Sequence, residues 1–330
     1  MLIFIKQNHV AALDCLRQDT SFICQHPDGK IVFLPEHVEL PEVLNAHAHA
    51  IEILPKHEDY PFVAKRNVAN TVKIADVTFG DGQVQWIAGP CSIEGKPQLS
   101  QIAEFLSSHK INLLRGGAFK PRTSPYSFQG LGLEGLQVMQ DVAKQYGMQT
   151  VTELMDVRLL DTFLEADVAA IQIGSRNMQN YDLLRAVGQA QVPVILKRGL
   201  AATIKEWLLA AEYIAATGNS QIILCERGIR SFEPSYRNML DITAIPVAKK
   251  ETHLPVIVDP SHAAGRAELI PPLVKAAIAA GADGILVEVH PNPAEALSDK
   301  EQALDFESFA SLLRGCAGPS VCRTHVATVL

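Results

Sequence analysis

The sequence lacks any apolar run long enough to cross a bilayer. Its longest, such as residues 255–258 and 284–287, fall far short of the roughly 20 residues that a spanning helix needs. No membrane association is expected. At the N-terminus only Leu2 to Ile5 precede Lys6, too short for a secretory core of about 7 to 15 apolar residues. Positive charge is not in excess either. Lys and Arg number 29 against 36 Asp and Glu, a net charge of −7, so no overall field favours nucleic acid. The six cysteines, Cys15, Cys24, Cys91, Cys225, Cys316 and Cys322, form neither a CxxC pair nor a dense disulfide framework, and a reducing, cytoplasmic setting is expected. What is abundant is apolar. Hydrophobic residues at 48% against 20% charged describe a chain that buries a large core, which excludes global disorder. The 330 residues leave room for one barrel of about 250 residues and something small.

From about Val84 onward, short β-branched runs alternate with amphipathic stretches, and the alternation repeats eight times. Strands are expected over residues 85–88, 112–115, 149–152, 170–173, 194–196, 222–225, 256–259 and 284–287. Helices are expected over 98–108, 134–146, 158–165, 182–190, 203–216, 238–251, 266–280 and 306–314. Eight such units close naturally into an α/β fold of the (β/α)8 TIM barrel type, spanning residues 76–314. Residues 1–75 read as a small α+β domain: a strand at 1–5, a helix near 11–17, strands 21–25 and 30–34 turning at Asp28-Gly29, then a partly helical stretch over 40–53. Residues 78–84, with Gly80-Asp81-Gly82 as the turn, are expected to form a hairpin plugging the bottom of the barrel. The tail 315–330 has no periodicity.

Gly130-Leu-Gly132-Leu-Glu-Gly135 matches a dinucleotide fingerprint, but no strand precedes it, so a loop entering a helix is the better reading. In a barrel of this type chemistry sits where strands run out into the following loops. Those exits carry Arg115, Lys120, Arg122, Arg176, Lys197 and Arg227, which gather positive charge at one mouth of a protein that is negative overall. Arg forks suit phosphate and carboxylate, so a substrate with several negative groups is expected. The same mouth offers Cys91, His262, Glu288 and Asp299. A thiolate, an imidazole and two carboxylates suit a divalent ion such as Mn, Fe, Co or Zn better than Mg or Ca. His290 is the weaker ligand candidate. His47 and His49 stand two apart, which on a helix points them different ways, so solvated histidines fit better than a second metal site.

Taken together, Ala88-Gly89-Pro90-Cys91-Ser92, Arg115-Gly-Gly-Ala-Phe-Lys120-Pro121-Arg122-Thr123-Ser124-Pro125, Gly174-Ser175-Arg176, Asp259-Pro-Ser-His262 and Val287-Glu288-Val-His290-Pro291 closely resemble the 3-deoxy-D-arabino-heptulosonate 7-phosphate (DAHP) synthases. More narrowly, the chain is similar to the class I beta members with a small N-terminal regulatory, ferredoxin-like domain. The match runs from about Val77 to Leu313 in order. The resemblance implies condensation of phosphoenolpyruvate with erythrose 4-phosphate, the entry step of the shikimate pathway. It implies Cys91, His262, Glu288 and Asp299 as the metal ligands. Arg176, Lys197 and Arg227, with Arg115 and Lys120, would hold phosphoenolpyruvate, and Lys120-Pro121-Arg122-Thr123-Ser124 would reach the erythrose phosphate. It also implies a homotetramer or dimer, and an aromatic amino acid as an effector. Lys120 is the expected catalytic proton donor, on the argument that a Lys among cations has a depressed pKa. Two alternatives stand beside this reading: 3-deoxy-D-manno-octulosonate 8-phosphate synthase, which uses arabinose 5-phosphate, and a catalytically silent barrel that only binds phosphorylated metabolites.

Overall fold

The structure, a computed structural model, describes residues 2–6, 22–26, 29–33, 51–54, 59–65, 71–120, 122 and 124–316. Strands β1 (Leu2–Lys6), β2 (Phe22–His26), β3 (Gly29–Phe33) and β4 (Ile51–Leu54) form an antiparallel sheet in the order β2-β3-β1-β4. Ile3 stands opposite Val32, and both are buried with Ile5, so alternate positions of β1 supply one apolar face. Two expectations are corrected here. Gly29 opens β3 and pairs with His26, where the sequence reading had it closing the turn, and residues 51–53 are strand, because the β-branched Ile51 and Ile53 pair along β1. The expected helix at 11–17, His47, His49, Asp28, Pro121, Thr123 and the tail from 317 lie outside the described residues.

A hairpin of β5 (Val72–Ile74) and β6 (Val77–Phe79) precedes the barrel. It lies earlier than the expected 78–84, and it turns at Ala75-Asp76, with Ala75 at φ 51°. A two-residue turn with positive φ matches strand twist, which the longer Gly80 to Gly82 segment does not require. The barrel closes through β7 (Gln85–Gly89), β8 (Leu113–Arg115), β9 (Gln149–Glu153), β10 (Ala170–Ile173), β11 (Val194–Lys197), β12 (Ile222–Glu226), β13 (Val256–Val258) and β14 (Gly284–Glu288), each parallel to its neighbours. The helices outside are α1 (Lys96–Ser108), α2 (Leu133–Tyr146), α3 (Leu160–Glu165), α4 (Tyr181–Gln189), α5 (Ile204–Ala215), α6 (Ala244–Glu251), α7 (Pro260–Ala264), α8 (Ile270–Ala279) and α9 (Phe306–Cys316). Helix α9 therefore takes in Gly315 and Cys316, two residues assigned to the tail by sequence.

Helix α6 is shorter than the expected 238–251, and Pro246 gives the reason. A proline is tolerated in a helix's first turn but not in its interior, so the helix begins at Ala244 and not six residues earlier. The residues before it do other work: Asn238 donates its backbone N–H to Ala263 O, and Met239 pairs with Ile229. At the start of α5 a capping box holds the chain, with Thr203 and Glu206 each satisfying the other's backbone N–H.

Two apolar layers result. Between strands and helices lie Leu99, Ile102, Met139, Phe163, Leu184 and Trp207, the last donating its indole N–H to Leu196 O at 3.1 Å. Inside the barrel, Ile87, Leu113, Val151, Ile195, Ile223, Ile257 and Leu286 pack with Val72, Ile74 and Phe79 of the hairpin. The hairpin thus closes the end of the barrel where the strands begin, and the opposite end is left for chemistry.

Candidate active site and metal centre

Side chains along a strand alternate between its two faces, so the residue two after each interior apolar residue also points inward, one layer higher. That step converts Leu113 to Arg115, Ile195 to Lys197, Ile257 to Asp259 and Leu286 to Glu288; on β12 it runs from Ile223 through Cys225 to Arg227. Arg115, Lys197, Arg227, Asp259 and Glu288 are all buried. Charges so placed are costly unless paired. Arg115 Nη1 donates to Glu288 Oε1 at 2.7 Å, and Lys197 Nζ donates to Asp259 Oδ2 at 2.5 Å.

Cys91, Glu288 and Asp299 each bring a ligand atom into one group spanning no more than 4.8 Å. Cys91 reaches it from the loop after β7, where Gly89 lets the neighbouring strand approach: a Cβ there would lie 1.9 Å from Arg115 O. Asp299 reaches it from a left-handed residue (φ 47°) that opens the turn Lys300–Gln302. His262, the fourth expected ligand, flanks this group without joining it. Its Nε2 lies 3.5 Å from Glu288 Oε1 and its Nδ1 donates to Asp259 Oδ2 at 2.7 Å. His290 turns away, with Nε2 3.4 Å from Glu94 Oε2.

The electrostatics of the group fit a cation. Burial, reinforced by Glu288 and Asp299, pushes the Cys91 thiol up to about 11 despite Lys120 and Arg115. Burial also opposes ionisation of Glu288 and Asp299, yet nearby His262, Arg115 and Lys120 hold Glu288 below the ordinary range. Arg237, His262 and Lys120 hold Asp299 down at about 2. Two carboxylates held toward their ionised form therefore lie beside a thiol whose ionisation they and burial oppose. A divalent ion there would reverse that opposition, and the mixed sulfur and oxygen donors suit a borderline ion.

Lys120 corrects one expectation. Burial lowers its pKa, but Cys91 and Glu288 outweigh burial and the net direction is upward, because its nearest neighbours are ligand groups and not only other cations. Its Nζ donates to Cys91 Sγ at 3.0 Å and to Cys91 O at 3.2 Å. The other expected cations divide by depth. Arg122 is half-buried and Arg176 exposed, as is Ser124, whose Oγ accepts from the Tyr126 N–H at 3.3 Å. Arg227 is different from all of them. It is buried, its one bond is a 3.4 Å contact from Nη1 to Gly228 O, and among the described residues no carboxylate pairs with it. Burial, with Arg237 adding to it, lowers its pKa against the pull of Asp259. Arg115 Nε is likewise buried without a partner. Both guanidinium groups have capacity left for an anion.

Several functional residues escaped the sequence reading. Gln302 Nε2 donates to Glu288 Oε2 at 2.6 Å, and Arg237 holds Gln302 Oε1 at 2.8 Å. Arg198, buried, pairs with Glu226 and Asp241 and so ties the exits of β11 and β12 together. Asp259 was visible only as part of the Asp259-Pro-Ser-His262 motif, without a role of its own. Glu153 ends β9, and Gly174 makes room for it, since a Cβ there would meet Glu153 Oε1 at 2.0 Å. The Gly130 to Gly135 segment serves the loop after β8: a Cβ on Gly130 would strike Ala118 O at 2.2 Å.

A (β/α)8 barrel whose mouth joins a thiol-carboxylate cluster to buried, under-partnered cations defines a class of enzyme that handles anionic substrates beside a candidate metal centre. The chain belongs to the DAHP synthetase I family, whose pattern matches residues 61–317. It is 55% identical over 244 residues to phospho-2-dehydro-3-deoxyheptonate aldolase of Thermotoga maritima, covering 74% of this chain and 72% of that protein. Over 265 residues it is 34% identical to 2-dehydro-3-deoxyphosphooctonate aldolase of Syntrophotalea carbinolica, covering 74% of this chain and 94% of that one. The crystal structure of the Thermotoga maritima DAHP synthase matches with a TM-score of 0.77 at 42% identity, covering 96% of this chain and 95% of that one. A truncated form of DAHP synthase from the same organism matches at 0.73 and 49% identity, over 78% of this chain and 95% of that one.

Proposed function

We infer that this chain is a DAHP synthase, which condenses phosphoenolpyruvate and erythrose 4-phosphate with water to give DAHP and phosphate. The observation that carries the reading is the group of buried Cys91 and Glu288 with half-buried Asp299, at the same mouth as Arg227, a buried cation with no carboxylate pairing with it among the described residues. Cys91, His262, Glu288 and Asp299 would hold a divalent ion, Mn, Fe, Co or Zn. When bound, that ion supplies Lewis-acid polarisation of the erythrose aldehyde.

The chain's own residues hold and orient the two anions. Arg227, Arg115 and Lys197, with Arg176 and Lys120, bind the phosphate and carboxylate of phosphoenolpyruvate through charge-assisted bonds. Arg122 and Ser124, with Pro121 and Thr123, receive the erythrose phosphate. Fixing both substrates so that the reacting carbons stand about 3 to 3.5 Å apart supplies much of the rate. Lys120, protonated and buried, donates its proton to the alkoxide that forms. The N-terminal residues that precede the plugging hairpin would act as a regulatory domain whose effector is an aromatic amino acid. The subunits assemble as a homotetramer or dimer.

The test follows phosphoenolpyruvate consumption by purified protein with erythrose 4-phosphate, with and without prior EDTA, and again with arabinose 5-phosphate. Turnover only with erythrose 4-phosphate, lost on chelation and restored by Mn²⁺, is expected. Turnover with arabinose 5-phosphate alone transfers the chain to the octulosonate reading, which its 34% identical relative represents.

A further inference from the structure

Five buried or nearly buried side chains run without a break across the mouth: Lys197, Asp259, His262, Glu288 and Arg115. At one end is Lys197, a cation read above as a phosphoenolpyruvate anchor, and two along is His262, a metal-ligand candidate. Asp259 joins them. Its Oδ2 accepts from Lys197 Nζ at 2.5 Å and from His262 Nδ1 at 2.7 Å, while its Oδ1 accepts the His262 backbone N–H at 3.0 Å. Both carboxylate oxygens already accept, from Lys197 Nζ and from the His262 backbone N–H, so the 2.7 Å contact assigns the ring proton to His262 Nδ1 and the lone pair to Nε2, on the side where Glu288 lies.

We propose that Asp259 is a positioning residue shared by two subsites: one carboxylate oxygen fixes the His262 ring for a divalent ion and holds Lys197 for the anionic substrate. The proposal rests on the functional reading above. The competing role for Asp259 is purely local, as the cap of the short helix α7, which its Oδ1 performs. Asn and Ser cap helices about as well as Asp, so substitution by either keeps that role and removes the charge. In Asp259→Asn the amide also presents donors toward Lys197 or His262, or both, and favours the wrong tautomer of the ring.

The experiment uses full-length protein stripped of metal, comparing wild type, Asp259→Asn and Asp259→Ser. Mn²⁺ affinity is read by electron paramagnetic resonance of the free ion. Phosphoenolpyruvate affinity is read by calorimetry in the absence of metal, so that one loss does not pass for the other. Both dissociation constants are expected to rise by about 10-fold or more, the range typical for losing a ligand's outer partner. Unchanged constants, even with a lowered melting temperature, overturn the proposal, as does loss of only one affinity. A third reading needs no variant: ¹⁵N spectra of histidine-labelled wild type, metal-free, must show His262 protonated at Nδ1, and protonation at Nε2 overturns the assignment whether or not the variants fold. Wild type that binds neither Mn²⁺ nor phosphoenolpyruvate overturns the functional reading first, before any substitution is made.

Discussion

Along β11, Ile195 and Lys197 point into the same barrel two residues apart, and along β14 Leu286 and Glu288 do the same. The lower residue of each pair packs against the hairpin's Val72, Ile74 and Phe79, where each fully buried aliphatic or aromatic side chain contributes about 1.5–3 kcal/mol by leaving water. The upper residue is a charge taken out of water, which costs several kcal/mol before any partner offsets it. One rise of two residues therefore separates the part of the barrel that stabilises the fold from the part that spends that stability on binding. The pairing pattern in the upper layer shows where the spending is recovered internally, at Arg115 with Glu288 and Lys197 with Asp259. It also shows where it is not, at Arg227.

The largest effect that separates the two layers is expected from Cys91→Ala. Removing the thiol from the group with Glu288 and Asp299 should lower metal-supported turnover by about 10³-fold or more, roughly 4 kcal/mol of barrier, while the melting temperature stays within a few degrees of wild type. Steady-state kinetics with added Mn²⁺ and a thermal melt decide it together; full activity in a metal-saturated variant would remove Cys91 from the site. The mirror experiment is Phe79→Ala in the lower layer. Phe79 is fully buried, so truncation should cost about 3–5 kcal/mol of stability, measured by urea unfolding, and leave kcat per folded molecule unaltered. A fall in kcat without a fall in stability would mean that the plug and the mouth are not separable as argued.

How much of this was legible in the sequence follows the same division. The eight strands could be read to within about two residues, because most are short apolar runs buried throughout, and because parallel strands covered on both faces leave no ambiguity of period. The convergence of Cys91 with Glu288 was legible too, since a barrel brings every strand exit to one end. The pairing of Lys197 with Asp259 was not: β12 stands between β11 and β13, and a contact reaching across an intervening strand leaves no periodic trace. The upward pKa of Lys120 escaped for a related reason, because it depends on Cys91 and Glu288 outweighing burial, which only distances reveal. The early start assigned to helix α6 is another matter. Pro246 was in plain sight, and its place in the first turn is dictated by chemistry alone.

The finest test of the comparison is Arg227→Met, where function and stability should move in opposite directions. The guanidinium has no carboxylate partner among the described residues, and burial already draws its pKa downward, so the folded protein carries this charge at a cost. Methionine fills most of the volume without the charge, and replacing a buried ion by an apolar side chain of similar size is often neutral or stabilising. The melting temperature should therefore hold or rise. Phosphoenolpyruvate loses charge-assisted bonds worth about 1.5–3 kcal/mol, so kcat/KM for it should fall roughly 10- to 150-fold, with KM carrying most of the change. Arg115→Met makes the control, because it takes from buried Glu288 its 2.7 Å ion-pair partner and should destabilise the fold. If Arg227→Met melts lower by as much as Arg115→Met, then Arg227 holds the upper layer together as Phe79 holds the lower, and the boundary between the two layers lies higher in the barrel than Lys197 and Glu288 place it.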